Sequence, residues 1–362
     1  MGMLIKNSWY VAANPQELPV GNILGRTILN TPLAIWRLPN GTVMAALDRC
    51  PHRATPLTMG RIVENTIRCG YHGAQFDQTG QCVAVPGQAL APGKGCALKL
   101  YPVVETYGFA WVWMGDASPS SLEATLAPFA IGSDPDWHGG NGLFESLKAN
   151  FKLVSDNLFD ITHAEFIHPE SFGGPETRYY RRMEPGKDFC DDKMTYEMGD
   201  RSITVRMRAR NLGDDCGPFF RWMVATGLGV AEHTHPIDQE LEIIWAAPSF
   251  VFFRGTSSPN HDDAKRFTMI VLHAVTPESE TSCHYFYRAV RDFAPGAELT
   301  ESLMRNVAVI FQQDRGVFEM QQLRIGDGDL FDQAPVSFAG DIVQIRARRI
   351  IREMMAAESA SR

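Results

Sequence analysis

No stretch of this chain stays apolar for the roughly 18–20 residues that span a bilayer. The longest candidate, Ile243 to Phe253, is short and carries Pro248 and Ser249, so it reads as a buried strand. Basic charge is in deficit: 34 Lys and Arg stand against 42 Asp and Glu, a net −8. A protein that coats nucleic acid needs the opposite sign. Neither a nucleic-acid partner nor a membrane is therefore expected. Cysteine is sparse and odd in number, seven in 362 residues. That fits reduced thiols or metal ligands in the cytoplasm better than a disulfide framework. The N-terminal segment has no signal-peptide layout, and Lys6 stands where a myristoylation motif wants Ser or Thr. Internal repeats, low-complexity tracts and a glycine-rich dinucleotide motif are all missing.

What remains is an ordinary globular composition, 44% hydrophobic and 21% charged, which argues against disorder. The length favours two domains. Turn signals crowd the first part: Leu38-Pro39-Asn40-Gly41, Asp77-Gln78-Thr79-Gly80 and Val85-Pro86-Gly87. Short apolar runs such as Ala34 to Leu38, Val43 to Leu47 and Phe109 to Met114 lie between them. This predicts a small all-β domain over residues 1–117. Residues 118–142, rich in Ser, Pro, Gly and Asp, read as a connector. Residues 143–362 read as an α+β domain. In it, Ser146 to Ile167 is expected to be helix, with Leu147, Phe151, Val154, Leu158 and Ile161 on one face. Strands are expected over Ser202–Met207, Glu240–Trp245, Phe267–Ala274 and Ser282–Tyr287, and helices over Leu299–Leu323 and Asp341–Ala357.

Two constellations carry chemistry. The first is Cys50-Pro51-His52, sixteen residues, then Cys69-Gly70-Tyr71-His72. Two thiolates and two imidazoles can hold a tetrahedral zinc or a two-iron cluster. A zinc finger usually pairs like with like, whereas here each short loop supplies one of each type. That suits a [2Fe–2S] centre with two cysteines on one iron and two histidines on the other. Cys82, Cys96, Cys190, Cys216 and Cys283 show no partner pattern.

The second runs from Asp156 through Asn157, Asp160 and His163 to His168. An ideal helix turns residues five apart by roughly 140°. The two histidines can therefore share one metal only where the helix bulges or ends, and Pro169 supports an ending. With one carboxylate they would make the facial triad of a non-haem Fe(II) site. Asp156, Asp160, Glu165 and the distant Asp314 are the candidates. Asn157, Asp160 and His163 are spaced three apart, so Asp160 could accept from the His163 ring and set its tautomer.

Together these residues resemble the Rieske non-haem iron oxygenases, and more narrowly the oxygenase components of the vanillate and dicamba O-demethylase type. Asn7-Ser-Trp-Tyr-Val-Ala, Tyr107-Gly-Phe-Ala-Trp-Val-Trp113 and Thr276-Pro-Glu-Ser extend the resemblance over nearly the whole chain. It implies a Rieske β domain followed by a helix-grip domain, an antiparallel sheet wrapped around a long helix. Cys50, His52, Cys69 and His72 would then ligate a [2Fe–2S] cluster, and His163, His168 and Asp314 a mononuclear Fe(II). Asp160 would bridge His163 to the cluster histidine of a neighbouring subunit in a head-to-tail homotrimer, and Asn157 would be a polar neighbour of the iron. Electrons from NADH or NADPH would arrive through a separate reductase or ferredoxin, in keeping with the missing dinucleotide motif. Dioxygen would be consumed. The implied reaction is O-demethylation of a small, anionic, methoxylated aromatic, releasing formaldehyde. The alternatives are hydroxylation of a methyl group, as on an arylsulfonate, or N-demethylation. Two substrate residues are expected. His273 falls where the resemblance places a substrate-contacting histidine, and Arg305, nine residues before Asp314, could clamp a carboxylate or sulfonate. The basic residues Arg346, Arg348, Arg349 and Arg352 read as a solvated face or a docking site for an acidic electron donor.

Overall fold

A computed structural model describes residues 4–89, 95–160, 162–173, 195–213 and 216–360. Ile161 and Cys190 lie outside the described residues, as does the side chain of Glu165. The chain forms two units: Met1–Leu122 with Thr276–Glu280, and Glu123–Val275 with Thr281–Arg362.

The first unit is built from short strands. β1 (Ser8–Ala13), β10 (Val103–Thr106) and β11 (Phe109–Met114) form one sheet. β2 (Ile23–Ile28), β3 (Thr31–Arg37), β4 (Val43–Leu47) and β9 (Leu100–Tyr101) form a second. β5 (Arg61–Val63), β6 (Thr66–Arg68), β7 (Gln75–Phe76) and β8 (Cys82–Ala84) form a third. One core gathers Tyr10, Leu33, Ile35 and Val112. Another gathers Trp36, Leu57, Ile67 and Phe76 with Cys50, Cys69 and Cys82. The Thr276-Pro-Glu-Ser turn belongs to this unit by its backbone. Leu29 N donates to Pro277 O at 2.9 Å, and Asn30 N to Glu278 O at 2.8 Å.

The second unit is a seven-stranded antiparallel sheet in the order β12-β18-β17-β16-β15-β14-β13. Its strands are β12 (His138–Leu147), β13 (Thr195–Met198), β14 (Ser202–Leu212), β15 (Ile237–Ala246), β16 (Phe250–Pro259), β17 (Phe267–Pro277) and β18 (Cys283–Arg291). Its helices are α1 (Leu122–Leu126, beginning at the boundary), α2 (Phe151–Leu158), α3 (Ala164–Ile167), α4 (Pro218–Leu228), the long α5 (Ala297–Ile325) and α6 (Ile342–Ala360). Leu303, Val307, Ile310, Phe311, Asp314, Phe318 and Gln322 recur every three or four residues and form the buried stripe of α5. Phe311 on that stripe meets the rings of Tyr285 and Tyr287 from β18 and His273 from β17. The sheet thus packs its aromatic face on the long helix. On strands β14 to β16 the other face carries ion-pair rows, Arg206–Glu242–Arg254 and Arg208–Glu240–Arg266, the last residue lying just before β17. These rows line a cleft of about 420 Å³. Among the described residues, no helix is long and apolar enough to cross a membrane.

Several elements differ from the sequence reading. Residues 118–142 are not a bare connector, since α1, a 3-10 segment at Ala127–Ser133 and the start of β12 all lie there. The helix expected from Ser146 to Ile167 is a strand end, then α2, then a break, then one turn of α3. Asn150 sets the late start: its side chain accepts from Lys152 N at 2.9 Å, capping α2. The run from Ile243 to Phe253 is two strands, paired Ile243 to Phe253 and Ala246 to Phe250 about the turn at Pro248. Helix α4 lies between two of the expected strands, in a stretch for which no element was expected, because Phe219, Phe220, Met223 and Val224 make a short apolar run without a clear period.

Candidate metal centres

The two loops of the first unit fold alike. Cys50 N donates to Thr55 O and Ala54 N to Cys50 O; Cys69 N donates to Ala74 O and Gly73 N to Cys69 O. In both loops the fourth residue after the cysteine is left-handed, Ala54 at φ 57° and Gly73 at φ 76°. At Gly73 a side chain is doubly excluded, because a Cβ would also stand 2.8 Å from Pro86. The shared geometry buries both cysteines and leaves His52 and His72 exposed, their rings 4.7 Å apart. Burial pushes the Cys50 thiol up, and the Cys69 sulfur beside it pushes the same way. A thiol held up in this way resists ionising alone, and a bound cationic group would relieve that cost. This donor set, two inner thiols and two outer imidazoles, fits a Rieske cluster.

The second centre is assembled from α5 and the segment after α2. Helix α2 ends at Leu158, and the histidines flank the single turn α3, His163 at its start and His168 at its end. That break defeats the 140° offset of an ideal helix. The rings approach to 5.4 Å. Asp314 arrives from 146 residues away: its Oδ1 lies 3.0 Å from His168 Nε2 and 3.5 Å from His163 Nε2. The potential ligand atoms of these three residues lie within 4.8 Å of one another. Burial pushes the Asp314 carboxyl up, but the two imidazoles outweigh it and hold it at about 2. Burial likewise lowers His163, and the Asp314 carboxylate more than reverses it. Two imidazoles converging on one buried carboxylate is the donor set of a facial triad.

The polar surroundings match the reading only in part. Asn157 Nδ2 donates to Asp314 Oδ1 at 3.2 Å. Asp160, however, turns its carboxylate to Thr162, accepting from its N and Oγ1 at 2.7 Å each. The three-residue spacing of Asn157, Asp160 and His163 assumed a continuous helix, and the break removes that alignment. The orienting contact falls instead on the other histidine: Gln313 Oε1 lies 2.8 Å from His168 Nδ1. Gln313 Oε1 can only accept, so this contact calls for a proton on His168 Nδ1, and with a metal bound Nε2 would supply the lone pair. Gln313 was missed; the only sequence signal was its place beside Asp314. Asp156 does not reach the centre either, since Arg348 holds it.

His273 is buried on β17, 2.7 Å from the hydroxyl of Tyr285, another residue the sequence did not flag. Period-two aromatics on β18 were the available signal. Burial pushes His273 down to about 3 against the opposing pull of Asp314, so it is neutral near pH 7. An unfolded chain protonates this residue below about 6.5, while the folded chain holds out to about 3. Its contribution to stability is full above that interval and is lost as pH falls through it. His273→Gln should therefore flatten the acid side of the stability profile. Urea unfolding of both proteins across the interval checks this, and parallel profiles would refute it. Arg305 is a correction: its side chain is 69% exposed, near Glu301 at 3.9 Å, on a different face of α5 from buried Asp314. Nine residues is two and a half turns, which points the two apart. The structure does not bring Arg305 to the triad.

Two family models match the chain: a Rieske [2Fe-2S] domain over residues 8–102 and the vanillate O-demethylase oxygenase C-terminal domain over residues 147–357. The iron–sulfur subunit of a toluene-4-sulfonate monooxygenase system from Comamonas testosteroni is 32% identical, covering 99% of each chain. A vanillate O-demethylase oxygenase subunit from a Pseudomonas species is 33% identical over 98% of this chain and 96% of its own. Among solved structures, dicamba monooxygenase bound to 3,6-dichlorosalicylic acid superposes with a TM-score of 0.80 at 30% identity, covering 99% of both chains.

Proposed function

Because this chain belongs to the Rieske non-haem iron oxygenases of the vanillate O-demethylase type, we propose that it is the terminal oxygenase of a multicomponent monooxygenase that O-demethylates a small, anionic, methoxylated aromatic. The observation that carries the proposal is the convergence of His163, His168 and Asp314 on one buried point. When bound, the two-iron cluster supplies single electrons and the mononuclear iron supplies dioxygen activation. NAD(P)H would serve only through a separate reductase or ferredoxin, and a homotrimer is the assembly we propose.

The chain's own residues supply binding and orientation. Gln313 holds the His168 tautomer, and Asn157 holds the Asp314 carboxylate. The rings of Phe144, Tyr285, Tyr287 and Phe311 pack into one aromatic cluster, against which an aromatic substrate would pack. Neutral His273 and the Tyr285 hydroxyl are the polar groups set into that cluster. With Arg305 outside, these hydrogen-bonding groups rather than a guanidinium would meet an anionic substituent.

A second reading, hydroxylation of an aryl methyl group, is favoured by the similarity to the toluene-4-sulfonate system. Product analysis separates the two. The holoprotein, supplied with electrons and offered paired methoxybenzoates and methylarylsulfonates, should release formaldehyde in proportion to oxygen consumed with the first. A benzylic alcohol without formaldehyde would transfer the proposal to the second reading. Oxygen uptake indifferent to every aromatic would overturn both.

A further inference from the structure

Among the described residues, two cysteines outside the metal-binding loops, Cys82 and Cys96, stand face to face. Gln81 bridges Ala97 in antiparallel register, and Cys82 N donates to Cys96 O at 3.1 Å. Cys82 on β8 and Cys96 are therefore directly opposite residues of an antiparallel pair, joined by one backbone hydrogen bond. Such pairs sit about 5.5 Å apart between Cα atoms, inside the about 4.4–6.8 Å that a disulfide bridges. Directly opposite residues place their side chains on the same face of the pair. Both pack in the core that holds the sulfurs of Cys50 and Cys69.

We propose that Cys82 and Cys96 form a peroxide-oxidisable dithiol that closes to a cross-strand disulfide beside the cluster-binding cysteines without displacing them. This site is separate from both metal centres and does not depend on which substrate the oxygenase uses. The two thiols differ in access. Cys82 is buried, whereas Cys96 is partly exposed and follows Gly95, around which a side chain would meet open space. Cys96, the more accessible thiol, is therefore the attacking one and Cys82 the resolving one.

The chemistry balances with hydrogen peroxide as the oxidant. Cys96 loses its proton, and its thiolate attacks one peroxide oxygen. The O–O bond breaks, giving a sulfenic acid and hydroxide, which takes up a proton to become water. Cys82 then loses its proton and attacks the Cys96 sulfur. The S–S bond forms, the S–O bond breaks, and the departing hydroxide becomes the second water. Two thiols are oxidised by two electrons, and one peroxide is reduced to two waters. A thiol reductant restores the pair by exchange.

The test treats the holoprotein with a small excess of hydrogen peroxide, quenches with catalase, and alkylates under denaturing conditions before tryptic mapping. Cleavage after Arg68, Lys94 and Lys99 places Cys82 and Cys96 on separate peptides. The expected result is one linked species joining them through Cys82, with loss of two hydrogens, reversed by thiol reductant. Cys82→Ser and Cys96→Ser should each abolish it, and the iron and sulfide contents of the wild type should not change. Fragmentation that places the link at Cys69 would overturn the proposal. So would sulfinic acid at Cys96 without a link, or loss of the cluster before any link forms.

Discussion

Asp314→Ala should slow turnover at least about a thousandfold while leaving the reduced Rieske signal intact. Losing even an outer partner of a metal ligand typically costs about 10–100-fold. Asp314 is more than that, being, among the described residues, the carboxylate that both candidate imidazoles face. Removing it leaves two histidines with no negative charge to balance a divalent cation, so the mononuclear iron should be lost. Iron and sulfide counts, electron paramagnetic resonance of the reduced protein and substrate-dependent oxygen uptake check this together. Asp314→Ala is also expected to fold, because its neighbours Ile310, Phe311 and Phe318 keep the α5 stripe packed. A variant that keeps its third iron and turns over within tenfold of wild type would remove Asp314 from the ligand set.

The largest effect on stability is expected at Arg348→Ala. Arg348 is 4% exposed on α6. Its guanidinium holds Asp156 of α2, with Nε 3.0 Å from Oδ2, and reaches Asp329 at 3.3 Å. Asp329 is also paired with Lys152 of α2, and Phe331 stacks under the guanidinium. Removing one partner of a buried pair strands the other charge, at a cost of about 3–5 kcal/mol. For a unit of this size that lowers the melting temperature by roughly 10 °C. Arg348→Lys should fall between, since an ammonium keeps the charge but loses the two-pronged grip. The double variant Asp156→Asn, Arg348→Met should recover part of the loss, because it removes the stranded charge along with its partner. Melting curves of the four proteins test the argument. A loss under about 0.5 kcal/mol for Arg348→Ala would mean the quartet is solvated in solution.

That quartet also corrects the reading of the C-terminal helix. Arg346, Arg348, Arg349 and Arg352 look like one basic face in sequence, yet Arg348 is internal while Arg352 is exposed near Asp332. Charge runs do not reveal which member turns inward. The same limit applies to Arg305 and Gln313. Both lie within one helix of Asp314, and only the packing of α5 on the sheet says that Gln313 reaches His168 and Arg305 reaches solvent.

By itself the sequence determined the elements whose signal is local. The paired Cys-x-His and Cys-x2-His loops name their chemistry because each ligand pair sits within one turn, and the backbone of that turn is dictated by neighbours such as Gly73. The alternation of the sheet and the three-to-four spacing of α5 follow from strand and helix period. Boundaries were less legible where capping competed with periodicity, as at Asn150 and at the break after Leu158. Tertiary structure alone decided what depends on distant segments meeting. It brought Asp314 to His168 across 146 residues and to His163 as well, rather than Asp156 or Asp160. It set Tyr285 on His273, and it laid Cys82 opposite Cys96. Such meetings are fixed by the register of strands and the packing of helices, which are properties of the whole fold and leave no mark at fixed spacing along the chain.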